Sequence, residues 1–261
     1  MSNSPDSMFW TSLLLFGAMA IPAAAQVAAP AEAPADVGHW GVGVGLNLKQ
    51  QSYKGMGTKT NAIPLLSYEN RWLRLAGPAA DFKVPLPVPV TLALRARYAF
   101  EDGFESSESR DLYDMAKRKS SFWLGAALGW HSELVNASAE LLIDASGHSK
   151  GKRARTAVDK PLRAGAFLVA PRLALNWVDR DYVNYYYGVR PNEARQGRPA
   201  YMGGSALNPE LGLRVAYRLG SYHSMYVDGS VTRLDDVIQD SPLVGRKTES
   251  ALRLGYLYQF R

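Results

Sequence analysis

The stretch TESALRLGYLYQF, residues 248–260, decides the fold. Taken two by two, it places Ser250, Leu252, Leu254, Tyr256, Tyr258 and Phe260 on one face, and Glu249, Ala251, Arg253, Gly255, Leu257 and Gln259 on the other. Successive side chains of a strand point to opposite sides of a sheet, so one side here is oily and the other mostly polar. Aromatics gathered at one end of the apolar face suit a strand with that side in lipid and its tip at headgroup level. The stretch predicts the closing strand of a transmembrane β-barrel.

The same alternation recurs through the chain. Residues 209–219 repeat it, with Leu211, Leu213, Val215 and Tyr217 against Glu210, Gly212, Arg214 and Arg218. Strands are also expected at 39–50, 61–69, 72–76, 81–85, 89–100, 121–131, 135–144, 162–177, 182–189 and 222–233, twelve in all. Long connections begin at Ser52, Glu101, Ala145, Arg190 and Leu234, the third of them a basic loop over 145–161 containing KGKRAR. Each follows an odd-numbered strand, as it must if both barrel ends are periplasmic and long loops face outward. Removing the hairpin at 72–85 leaves ten strands and the same parity, so ten is the alternative; eleven breaks it. The fold class is all-β, a single antiparallel barrel.

Composition agrees. The 261 residues are 47% apolar, with 23 glycines, 14 tyrosines and 6 tryptophans, the residues of tight turns and aromatic belts. Beyond the N-terminus no run approaches the ~18 apolar residues of a membrane helix. There is no cysteine, which excludes disulfide and thiol chemistry. An apolar run over 9–20, followed by Ala23-Ala24-Ala25, reads as a secretory signal peptide spanning 1–25. Residues 26–38 are Ala/Pro-rich and expected to be a disordered lead-in, leaving 39–261 for the barrel. A net charge of +6 on an exported protein points to lipid phosphates or anionic wall polymer, and no nucleic acid is expected.

Charges kept out of lipid have only the lumen to occupy. The registers turn Arg95, Arg97, Glu140, Asp144, Arg172, Glu210, Arg214, Arg218, Asp228, Glu249 and Arg253 inward. Mixed signs favour ion-paired rows that fill a narrow interior; a pore lined by the arginines is the second reading. Lys150, Lys152, Arg153 and Arg155 are placed on an outer loop, within reach of lipopolysaccharide phosphates or simply solvated. The pairs His131-Ser132, His148-Ser149 and His223-Ser224 have the residue types of a hydrolase, but neighbours on a strand face opposite ways and cannot join base to nucleophile. No catalytic, cofactor-binding or metal-binding residue is assigned.

At Tyr185-Tyr186-Tyr187-Gly188-Val189 the chain becomes distinctive. This YYYGV, with Glu193-Ala194 and GRPAYMGGSA after it, is accompanied in order by IPLLSYEN (63–70), RYAFEDGFE (97–105), LYDMAKRKSSFWLG (112–125) and LRLGYLYQFR (252–261). The set resembles the MltA-interacting protein (MipA) and OmpV family of outer-membrane proteins, over residues 40–261. The resemblance implies an outer-membrane barrel without catalytic residues. Its name-giving member is a scaffold between a membrane-bound lytic transglycosylase and a bifunctional penicillin-binding protein that synthesises murein, whereas OmpV-type relatives are porin-like or surface proteins. The expected function is therefore a non-enzymatic scaffold in peptidoglycan remodelling, with a small-solute channel as the alternative. The expected partners are outer-membrane lipid and lipopolysaccharide, the barrel assembly machinery reading Tyr256, Tyr258 and Phe260, and the two murein enzymes, met through periplasmic turns and the lead-in.

Overall fold

A computed structural model describes residues 38–86, 89–100 and 102–260 of the chain. The expected signal peptide and lead-in lie outside the described residues, apart from Gly38. Thirteen strand segments form one antiparallel sheet. They are β1 (His39–Gln50), β2 (Thr58–Glu69), β3 (Leu73–Ala76), β4 (Ala79–Val84), β5 (Val90–Tyr98), β6 (Phe122–His131), β7 (Asn136–Asp144), β8 (Lys152–Asp159), β9 (Leu162–Ala164), β10 (Phe167–Val178), β11 (Ala206–Leu219), β12 (His223–Arg233) and β13 (Thr248–Gln259). β8 and β9 pair with successive parts of β10 and form one stave broken at Lys160-Pro161, where proline has no N–H to give the ladder. β13 pairs with β1 from Gly41↔Gln259 to Gln50↔Ser250, which closes a barrel of twelve staves.

The count of twelve stands through two errors that cancel. The basic segment expected as a loop is β8, and the expected strand at 182–189 is mostly the helix α1 (Arg180–Tyr186). Asp179 starts that helix by accepting a hydrogen bond from the Tyr182 N–H, a cap that outweighs the β-propensity of the tyrosines. The hairpin at 72–85 is real but short. Gly77, at φ +55°, turns it beside Ser67, so β3 pairs with β2 only over Ser67–Glu69.

The barrel is apolar outside and charged inside. Val44, Leu94, Leu173 and Leu211 are each more than 60% exposed on the outer face, while their neighbours Arg95 and Arg172 are buried. Rings crowd the short-turn end, Trp40 on Tyr68 at 4.4 Å, Phe167 on Tyr217 at 4.8 Å and Tyr258 on Phe260 at 5.1 Å between centroids. At the opposite end the connections after β1, β5, β10 and β12 pack over the barrel mouth. Their apolar core includes Tyr53, Phe104, Leu112, Met115, Val183, Tyr186, Tyr187, Ile238 and Leu243. This cap also holds a second short helix, α2 (Asp236–Gln239). Among the described residues no helix is long and apolar enough to cross a membrane.

Candidate functional site: a charged lumen under a closed cap

Inward positions on neighbouring strands line up through the pairing register, and so do their charges. Arg95 on β5 grips Asp81 of β4 with two hydrogen bonds, Nε to Oδ1 at 2.7 Å and Nη2 to Oδ2 at 2.8 Å. It also donates Nη1 to Glu140 Oε2 of β7 at 2.7 Å. Arg97 and Arg74 lie 3.6 Å from Glu140 and 3.8 Å from Asp81. Beside Glu140, its register partner on β7, Arg155 of β8 holds Glu210 of β11 in a fork at 2.8 and 2.9 Å. Arg172 of β10 bridges Glu210 to Asp228, on which Arg214 and Arg253 also converge at 3.0 and 3.2 Å. Asp228 is 1% exposed beneath these three guanidinium groups. Buried carboxylates and guanidiniums are stable only when so paired, because isolated charges would lose their hydration without compensation.

These rows divide the interior. A cavity of about 30 Å³, the size of a water site, lies among Arg74, Asp81, Arg95 and Ser138. A larger one, about 140 Å³, lies under the cap, with Tyr53, Tyr182, Tyr186 and Tyr187 above and Lys49, Arg97, Glu210 and Arg253 among its other walls. Glu140 and Arg155 line both and form the partition.

The cap has a clasp of its own. Arg118, whose side chain is wholly buried, donates Nη1 and Nη2 to Glu193 at 2.9 and 2.7 Å and Nε to the Tyr185 carbonyl at 2.7 Å. It also lies over the rings of Phe104 and Tyr185. Burial raises the Glu193 carboxyl, but the hydrogen bonds from Arg118 and from the Arg190 and Ala116 amides more than offset this and hold it below the usual glutamate range. Burial pushes the hydroxyls of Tyr53, Tyr182, Tyr186 and Tyr187 up, so they stay neutral. Gly103, at φ +91°, lies so close to the Arg118 carbonyl that a Cβ there would approach it to 2.0 Å.

The structure sorts the residues singled out from sequence. Arg95, Arg97, Glu140, Arg172, Glu210, Arg214, Asp228 and Arg253 meet in the two networks. Asp144 instead holds the turn after β7, accepting hydrogen bonds from Ser121, Ser146, Ser149 and the Lys150 amide. Arg218 donates to the Gly220 carbonyl at the short-turn end, and Glu249 at the rim accepts from Ser52 and pairs with Lys49 at 3.1 Å. Of the four basic residues expected on an outer loop, Lys150 is in a turn and Lys152 opens β8 facing out. Arg153 lies over the Trp123 ring, and Arg155 is in the lumen. That loop is a strand, so Arg153 and Arg155 are corrected from outer-loop positions to the barrel wall. Sequence reading missed Arg74, Asp81 and Arg155 as lumen charges; their alternation with outward Leu73, Phe82, Thr156 and Val158 was the available signal.

Tyr185, Tyr186, Tyr187, Gly188, Val189, Glu193 and Ala194 all belong to the cap, where they meet Phe104, Leu112, Met115 and Arg118 from the other distinctive segment. None of the three His-Ser pairs makes a hydrogen bond between its own members. Ser132 bonds the Val135 carbonyl, Ser149 bonds Asp144, and His223 bonds the Tyr256 hydroxyl at 2.6 Å. Ser146 does lie between Asp144 and His148, but there the carboxylate binds the serine and does not orient the imidazole, so the order of a hydrolytic triad is absent. Among the described residues no three His, Cys, Asp or Glu side chains cluster to hold a metal.

The family model for the MltA-interacting protein MipA matches residues 42–260. YiaT of Escherichia coli K12 is 25% identical over 239 residues, covering 90% of this chain and 97% of the relative. The MltA-interacting protein of the same strain is 26% identical over 228 residues, covering 85% and 91%. Outer membrane protein OmpV of Vibrio cholerae is 25% identical over 161 residues, covering 60% and 61%. Among solved structures, an outer membrane channel from Pseudomonas putida F1 aligns over 88% of this chain and 97% of its own, with 11% identity and a TM-score of 0.43. A closed twelve-stave barrel with an apolar outer face, carrying that family match over nearly all its described length, is an outer-membrane protein, and the chain belongs to the MltA-interacting protein MipA family.

Proposed function

We propose that the barrel is a non-enzymatic, occluded scaffold that anchors murein-remodelling enzymes to the outer membrane. The observation that carries this reading is the lumen. Seven arginines and four carboxylates, Arg74, Arg95, Arg97, Arg155, Arg172, Arg214 and Arg253 with Asp81, Glu140, Glu210 and Asp228, crowd it in shared ion-paired networks. A barrel whose interior is spent on its own side chains offers its surfaces for function. The similarity to a protein named for interaction with MltA supports a lytic transglycosylase as one partner; a bifunctional penicillin-binding protein is the second partner in this reading, taken from the family resemblance alone.

In this reading the cap faces outward and the short turns face the periplasm. Leu134, 72% exposed in the turn between β6 and β7, and Trp72, 41% exposed under Arg71, are the apolar contacts offered there, together with the lead-in. Lys150 and Lys152 face lipopolysaccharide phosphates at the outer rim. The final strand, ending in Tyr256, Tyr258 and Phe260, is what the assembly machinery engages. Affinity purification from cross-linked cells should bring down a transglycosylase or a murein synthase, and Leu134→Asp should lower the yield. Purified protein in planar bilayers should show no unitary conductance. Reproducible conductance altered by Arg253→Ala, with neither enzyme captured, would replace the scaffold by a channel.

A further inference from the structure

The short hairpin leaves a gap in the barrel wall. Above Leu66, whose carbonyl accepts the Gly77 N–H, β2 has no strand partner on its β3 side among the described residues. The gap is framed by Thr60–Leu65 of β2 on one side, by the Gly77-Pro78 turn below and by Tyr98 and Phe100 on the other side. The Lys59–Glu108 pair, 2.9 Å, closes it above. It runs ~20 Å along β2 at ~3.3 Å per residue, and β2 and β5 flank the two positions that β3 and β4 occupy lower down.

Strand geometry turns the backbone groups of Thr60, Ala62 and Pro64 toward this gap, because they share the parity of Leu66. Pro64 stands there as an edge proline, its missing N–H facing the unpaired side. The gap opens on the apolar outer face of the barrel, with the Trp40–Tyr68 ring pair below it and the Tyr98–Phe100 pair on its β5 side. Unpaired strand edges are not tolerated against hydrocarbon unless they line a polar cavity or meet a hydrogen-bonding partner.

Behind the edge is such a partner surface. Asn61 on β2 is paired in register with Asn47 on β1, and Asn47 with Arg253 on β13. Asn47 is 1% exposed, yet neither its Oδ1 nor its Nδ2 has a hydrogen-bond partner, and Asn61 Nδ2 has none either. Four residues beyond Asn47, just past the end of β1, Gln51 Nε2, also buried and unpartnered, belongs to a side chain lining the cavity under the cap, which Arg253 lines as well. Below the two asparagines lie Ile63 and Leu65 in an apolar cluster with Leu257. The inner face behind the gap thus runs from apolar to amide to the cationic end at Lys59.

We infer that this gap is a lateral portal, and that a membrane-dissolved amphiphile enters through it to place a hydrogen-bonding headgroup on Asn47 and Asn61, with its chain over Ile63 and Leu65. The inference does not depend on the scaffold reading. Because the chain has no cysteine, a single introduced thiol is unique. Asn61→Cys should react with N-dodecylmaleimide dissolved in the bilayer at least tenfold faster than Ser230→Cys, which lines the cavity under the cap from β12, three strands away from the gap. Native mass spectrometry of the unmodified protein with lysophosphatidylethanolamine should show a one-to-one adduct, lost in Asn47→Leu/Asn61→Leu while heat-modifiable gel mobility persists. Equal labelling at the two thiols, no adduct on the unmodified protein, or an adduct that survives the double substitution each overturns the portal.

Discussion

The barrel wall and the cap bury opposite kinds of side chain. The wall turns its leucines and valines to lipid and hides arginine and aspartate; the cap hides tyrosine, leucine and isoleucine and turns charge to water. The difference teaches where each region gets its stability. The wall rests on a closed hydrogen-bonded ladder, which needs no apolar core, whereas the cap is a small soluble-type core built from loops. One buried arginine then acts in each region by a different route. In the wall a guanidinium compensates another charge, while in the cap Arg118 gathers carbonyls and a glutamate to hold loops together.

The largest expected break of this contrast is Asp228→Ala, which leaves Arg172, Arg214 and Arg253 facing one another without their shared carboxylate. Loss of one member of a buried network of this kind costs ~3–5 kcal/mol or more, and the urea midpoint of the folded barrel should fall accordingly. Arg118→Ala should cost the cap a similar amount, but locally. Trypsin should then cut within 102–121 and 190–205 while heat-modifiable mobility of the barrel is kept. Gly103→Ala should produce the same nicking, through a Cβ that meets the Arg118 carbonyl.

Acid should loosen the cap before the wall. The Glu193 carboxyl sits below its unfolded value, ~4.3, so its contribution is complete above that pH and is lost as pH falls through the lower, folded value. Protection of the cap from an acid-active protease should decline below about pH 4, and Glu193→Gln should remove that dependence. The smallest effect is expected from Lys117→Ala, whose ion pair with Glu105 is fully exposed; neither protease protection nor melting should move measurably.

The wall was legible in the sequence because lipid and lumen impose a period of two that nothing else disturbs, as in residues 248–260 and 209–219. β8 escaped for the same reason that makes it useful. Its inward face carries Arg153, Arg155 and Asp159 and its outward face begins with Lys152 before Ala154, Thr156 and Val158, so charge on both faces concealed the alternation and KGKRAR looked like a solvated loop. The cap was legible only as a set of distinctive residues. Its pairing of Arg118 with Glu193, 75 positions apart, depends on two loops meeting above the barrel, which no local period encodes. The tyrosines of α1 suit a strand by propensity alone, and the deciding feature is the Asp179 cap just before them, which commits the segment to a helix.

The seam between β13 and β1 makes the two ends of the barrel neighbours, with the Phe260 amide donating to the Trp40 carbonyl at 2.8 Å. Topologically the wall is a ring with a nick, and the place of the nick is arbitrary to its hydrogen bonds. A circular permutant that joins these ends and reopens the chain at Gly220 would keep every ladder contact while giving the last position to β11. Such a molecule would separate what the closed ring needs from what its builder reads.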